Sequence, residues 1–127
     1  SMNAWMNGNT FGDPTGKTKS PTPEEDDSLT YTFFRRESQI AQPSRIWCLI
    51  DEDPSTINDS MFMVDMGPVN GIYDLPSNRH GNAYELTFAD GHSETVKMLA
   101  DPSDWSAFKP IPDPDWIKLK AVTTQPK

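Results

Sequence analysis

Asp90-Gly91 stands between two runs of alternating apolar and polar residues, and that arrangement leaves the chain little freedom in local structure. Tyr84-Glu85-Leu86-Thr87-Phe88 leads into it, and Ser93-Glu94-Thr95-Val96-Lys97-Met98 leads away. Asp caps a turn with its own carboxylate, and Gly supplies a positive φ without steric penalty. Residues 84–89 and 93–98 are therefore predicted to pair as a β-hairpin. Two registers compete. A two-residue Asp-Gly turn sets Leu86 opposite Thr95 and Phe88 opposite Ser93, mixing apolar with polar on one face. A three-residue loop with Gly91 as a bulge puts Tyr84, Leu86 and Phe88 on the face of Val96 and Met98. The second is preferred, because a one-residue slip moves every side chain to the other face.

Elsewhere the apolar residues come in short runs separated by turn formers, as 12 prolines in 127 residues require. Residues 1–28 read as a loop-rich N-terminal segment, with Gly8, Gly12, Gly16, Pro14, Pro21 and Pro23 ahead of the acidic run Glu24-Glu25-Asp26-Asp27. Trp5 and Phe11 can pin that segment to a body formed by residues 29–127, a single β-rich domain. Residues 29–35 alternate loosely and suggest a strand or extended arm. Residues 45–51 contain Ile46-Trp47-Cys48-Leu49-Ile50, whose unbroken apolar character predicts a central strand covered on both faces, with Cys48 as a small buried hydrophobe. Residues 60–66 form a further apolar strand, and 67–79 a long loop. Residues 101–105 suggest a cap and a helical turn. Residues 113–119 repeat that pattern, with Pro114 at the first helical position and Trp116, Ile117 and Leu119 as docking residues. The sum is an α+β domain, mainly antiparallel β, with long loops and one or two short helices.

One spacing stands out beyond the fold signals. His80 is followed by nine residues and then Asp90-Gly91, inside Phe88-Ala89-Asp90-Gly91-His92. This resembles the C-terminal H-x9-DG signature of prepilin-like proteins of the type IV pilin and type II secretion pseudopilin kind. The likeness extends over residues 43–124 and to Met2 through Gly8. It takes in the acidic loop after Trp47, Asp74-Leu75-Pro76-Ser77 shortly before the histidine, and the aromatic and Thr123-Thr124 of the C-terminal stretch. The resemblance implies a pilin-like head domain whose leader and long N-terminal helix are missing from this chain. In such heads an antiparallel sheet packs against that helix, so a sheet face is expected to be open, remodelled, or buried against another copy. The implied location is periplasmic or extracellular, with the chain itself soluble. The implied partners are other pilin-like subunits or further copies of itself, with membrane contact only through the missing helix.

Charge narrows the partners independently. A net charge of −8 repels nucleic acid and anionic membrane alike. Between Ile46 and Asn78 there is no Lys or Arg, but there are six acids: Asp51, Glu52, Asp53, Asp59, Asp65 and Asp74. Hard divalent cations suit such a window, Ca²⁺ above all, and the candidate ligands are Asp51, Asp53, Asn58, Asp59 and Asp65. Asp51-x-Asp53-x-Ser55 begins like an EF-hand loop, but Thr56 stands where the glycine belongs and Phe62 where the bidentate glutamate belongs. The calcium that major pseudopilins bind in a loop of the head points the same way, as an implication of the resemblance. Two histidines and one cysteine are too few for a tight zinc or copper set.

For His80 the alternatives are a hydrogen bond that fixes the loop over the hairpin, a metal ligand, or a general base. A minimal hydrolase for an ester or lactone could draw on His80 or His92 with an Asp of the acidic window and a calcium-bound water, Asp90 being a further candidate, although no nucleophile-elbow, zinc-protease or phosphate-loop motif is present. A third reading uses the tryptophans, Trp5, Trp47, Trp105 and Trp116, as sugar-stacking platforms of a carbohydrate-binding module, against their commoner use in core packing. The leading expectation is the pilin-like extracytoplasmic assembly domain, stabilised by Ca²⁺.

Overall fold

A computed structural model describes residues 1–6, 31–64, 66, 73–99 and 114–126, and among them five strands form one sheet. The strands are β1 (Met2–Asn3), β2 (Trp47–Ile50), β3 (Met61–Phe62), β4 (Ala83–Phe88) and β5 (Ser93–Lys97), followed by one helix, α1 (Pro114–Lys120). Two 3-10 turns, Glu37–Gln39 and Pro43–Arg45, precede β2. The order across the sheet is β3-β1-β2-β4-β5, antiparallel except for the parallel β1–β3 pair. This is a small α+β fold. Among the described residues no helix is long and apolar enough to cross a membrane. Residues 7–28 of the N-terminal segment, Asp65 and the helical turn expected at 101–105 lie outside the described residues.

The hairpin adopts the three-residue loop. Tyr84 pairs with Val96, Leu86 with Glu94, and Thr87 with Ser93. The Phe88 amide donates to His92 O (2.8 Å), the Gly91 amide donates to Phe88 O (2.9 Å), and Gly91 takes φ +92°. Tyr84, Leu86, Phe88, Val96 and Met98 are all buried on one face, as the apolar pattern requires. Burial pushes the Tyr84 phenol up, and the charge of Asp115 adds to the effect.

β2 departs from expectation in a way that matters later. Trp47 pairs with Phe88, but Leu49 pairs with Thr87 and Ile50 with Leu86, so Cys48 is the extra residue of a bulge. Trp47 and Ile50, three residues apart, both point into the core, while Leu49 points out and is 50% exposed. The strand is central, but among the described residues only one of its faces is covered. Cys48 is half-buried, enough for burial to push its thiol up.

α1 begins at Pro114, whose fixed φ suits the first turn. Asp115 lies near its N-terminus, and Lys118 and Lys120 lie near its C-terminus. A seven-residue helix is held by packing rather than propensity. Trp116 and Leu119 are buried against the sheet, whereas Ile117 is 59% exposed and does not dock. The expected extended arm at 29–35 is reduced, among its described residues, to single bridges: Tyr31 with Pro126, and Phe34 with Met6. Trp5 packs under it, stacked on Phe33 at 4.2 Å, and donates its indole N–H to Val64 O (2.9 Å).

The other departure is β1, two residues of the stretch read as loop, which sit between β2 and β3. A strand this short has few ladder bonds of its own, and Asn3 supplies the rest. Its buried Nδ2 donates to Trp47 O (2.8 Å) and to Thr123 O (2.9 Å), and its Oδ1 accepts the Trp5 amide (3.0 Å). Thr123 is tied in turn: its hydroxyl accepts the Trp47 indole N–H (2.9 Å) and donates to Leu119 O (2.7 Å). Asn3→Ala leaves two buried carbonyls and one amide without partners, and each orphan costs about 1–3 kcal/mol. Denaturant unfolding of Asn3→Ala is therefore expected to show a stability loss of roughly 3 kcal/mol or more. A loss below about 1 kcal/mol would mean that the β1 attachment is relaxed.

Candidate functional site

The two ends of the His80–Gly91 signature occupy different surroundings. At the first end, Asp51 follows β2 and its amide donates to Glu85 O (3.1 Å), which continues the sheet. The chain then pairs with the segment ahead of His80. The Asp53 amide donates to Leu75 O (2.8 Å), the Ser77 amide donates to Asp51 O (2.7 Å), and Glu52 bridges Pro76. Over this pair lie Arg79 and His80, both contacting the Asp51 carboxylate at 3.3 Å. Arg79 Nε also donates to the buried Ser77 hydroxyl (3.0 Å). His80 thus lies beside the Asp51 carboxylate at the end of β2.

At the second end, the His92 ring lies between two carboxylates. Nδ1 is 2.5 Å from Asp90 Oδ1, and Nε2 is 3.1 Å from Glu94 Oε1. The ring stacks on Phe88, with centroids 4.5 Å apart and planes 4° from parallel. The Asp90 and then the Glu94 hydrogen bond hold His92 above the usual imidazole range, and the same contact holds Asp90 below the usual carboxylate range. Of the catalytic candidates, then, His92 and Asp90 come together on the hairpin tip, while His80 pairs with Asp51 instead.

The calcium candidates are dispersed among separate tasks. Asp51 serves Arg79 and His80. Asp53 Oδ1 accepts the Ser55 amide (2.8 Å) and hydroxyl (2.6 Å), and those bonds hold its carboxyl low. Asp59 Oδ1 accepts the Met61 amide (2.6 Å), and Asn58 is exposed. Asp65 lies outside the described residues. Among the described residues no group of three His, Cys, Asp or Glu side chains is placed to hold a metal ion, and Asp53 and Asp59 cap their own turns.

Among the described acids of the window, the two that are buried, Glu52 and Asp74, were not among the candidate ligands. Glu52 is 3% exposed and Asp74 is 6% exposed. With Glu52 opposite Pro76, Asp74 sits diagonally across on the same face of the pair. Glu52 Oε1 accepts the Thr56 hydroxyl (3.1 Å), and Oε2 has no hydrogen-bond partner. Asp74 Oδ2 accepts the Met63 amide (2.6 Å). Burial pushes the Asp74 carboxyl up to about 6, with the charges of Glu52 and Asp59 adding and the Met63 hydrogen bond opposing. Glu52 shares the inward phase of Ile50, which the bulge at Cys48 sets and the sequence does not show, and Asp74 shares that of the buried Pro76.

The opposite face of the sheet is the other notable surface. Met61, Met2, Leu49, Thr87 and Ser93 form one cross-strand row through β3, β1, β2, β4 and β5. Its first three members are apolar: Met61 is half-buried, Met2 is 38% exposed and Leu49 is 50% exposed. Compared with protein-family models, curated proteins and solved structures, the chain matches none.

The pH dependence follows from Asp74. Its folded carboxyl binds a proton more tightly than the unfolded one, so its contribution to stability is complete below about pH 4 and is lost as pH rises through about 6. Wild type should therefore lose stability relative to Asp74→Asn between pH 4 and 7, by up to about 3 kcal/mol. Thermal melts of both proteins across that range check this, and parallel curves would refute it.

Proposed function

We propose that this chain is a pilin-like, extracytoplasmic assembly domain that works by packing the open face of its sheet against further copies or other pilin-like subunits. The observation that carries this reading is the apolar row Met61–Met2–Leu49 (the half of the open face nearest β3). Apolar side chains registered side by side across three strands are a surface for contact, not scattered exposure. The bulge at Cys48 adds to this, since it turns Leu49 outward while keeping Trp47 and Ile50 in the core.

The free edge of β5 supports face contact over edge pairing. Ser93, Glu94, Thr95 and Lys97 are polar or charged and exposed, which discourages strand addition there. The signature fits a supporting role in this reading. His80 fastens the loop before β4, and Asp90-Gly91 closes the hairpin, so both ends of the motif hold β4 and β5 in register with the face. The alternative reading, a small hydrolase for an ester or lactone, would rest on His80 beside Asp51 of the acidic window or on His92 beside Asp90.

Sedimentation or light scattering over a concentration series tests the proposal. Wild type is expected to self-associate, and Leu49→Glu is expected to weaken association roughly tenfold or more by placing a charge in the contact. Ile117→Glu, a matched change on the exposed side of α1, should associate like wild type. A protein that stays monomeric at every concentration, or one whose association ignores Leu49→Glu, would refute the reading.

A further inference from the structure

The ring of His92 faces a hydrogen-bond acceptor at each nitrogen. Asp90 Oδ1 lies 2.5 Å from Nδ1, and Glu94 Oε1 lies 3.1 Å from Nε2. A neutral imidazole has one N–H, so it can donate to one carboxylate only, and its other nitrogen then turns a lone pair toward the second. The imidazolium ion donates to both, and each bond is charge-assisted. The arrangement at the hairpin tip is therefore that of the charged ring.

The same ring covers part of the core. It lies flat on Phe88 at 4.5 Å, and Phe88 is otherwise enclosed by the sheet and buried. A cation above an aromatic face gains further attraction. The backbone supports the placement: the His92 amide donates to Asp90 Oδ1 (3.1 Å), and the Phe88 amide donates to His92 O. The charged groups acting on the ring are Asp90 from the turn and Glu94 from β5. β4 contributes the uncharged Phe88, and Arg45, on the 3-10 turn ahead of β2, is directed to Gln42 Oε1 (3.5 Å).

We propose that the tip of the β4–β5 hairpin is a proton-operated clasp, in which the His92 imidazolium ties Asp90 to Glu94 and lies over Phe88. Loss of one ring proton to solvent frees one carboxylate and lets the ring lift, which bares an aromatic surface at that end of the sheet. The clasp is closed on the acid side of the His92 midpoint and open on the alkaline side. It goes beyond the assembly role and stands or falls without it, because the tip lies apart from the Met61–Met2–Leu49 row.

Nuclear magnetic resonance of the full chain, titrated from about pH 5 to 9, tests the clasp. The His92 ring carbon-bound protons report its titration, and the Phe88 ring protons report the stacking. His92 is expected to titrate above free histidine, and the Phe88 resonances to move with the same midpoint. Asp90→Asn and Glu94→Gln, both exposed changes, should each lower the His92 midpoint and shrink the Phe88 response, because an amide can turn to suit a neutral ring. A His92 midpoint at or below that of free histidine would overturn the clasp. So would Phe88 resonances that stay still while His92 titrates, whatever the variants do.

Discussion

The side-chain amide of Asn3 is the contact on which the rest of the fold depends. It replaces ladder bonds that a two-residue strand cannot make, and it does so in the core, where no water can substitute. Through it the N-terminal strand, the central strand and the segment after α1 meet at one point. The two carbonyls it binds belong to residues 44 and 120 positions away in sequence. Trp47 and Thr123 reinforce the junction from the side, so the largest core side chain and the polar network support each other. Loss of the amide would leave β1, which joins β3 to the remainder of the sheet, held by its few backbone bonds alone.

Parity and its interruption explain most of the surface chemistry. A strict alternation along β2 would bury Trp47 and Leu49 and expose Cys48 and Ile50. The bulge changes phase at Cys48, so that Ile50 and then Glu52 point inward and Leu49 outward. One inserted residue thus creates both an apolar row on the open face and a buried carboxylate on the other. Burial above all, with the charges of Glu52 and Asp59 adding, raises the Asp74 carboxyl, which is why acid favours the folded state there.

How much of this is legible in the sequence depends on the range of the interaction. The hairpin, its three-residue loop and the start of α1 could be read because Asp90-Gly91 and Pro114 act within a few residues. The tip clasp was also local, since Asp90, His92 and Glu94 alternate on one side of a turn, yet the histidine drew attention as a catalytic candidate instead. β1 could not be read: two residues carry no period, and its partners lie far along the chain. Leu49 was misassigned to a two-sided core because an apolar run does not reveal a bulge. Composition counts the carboxylates of the acidic window without showing that Asp53 and Asp59 cap their own turns. The His80–Asp51 contact, across 29 residues of sequence, needed the fold before it could be seen at all.

The place of β1 also sets an order of events during synthesis. Met2–Asn3 leaves the ribosome before any strand it pairs with, and its neighbours β2 and β3 follow only after a long intervening stretch. The hairpin of β4 and β5 can form from adjacent residues as soon as they emerge. Thr123, the last of the Asn3 anchors in sequence, follows all five strands. Of the five strands, the earliest in sequence is therefore among the last to be fastened.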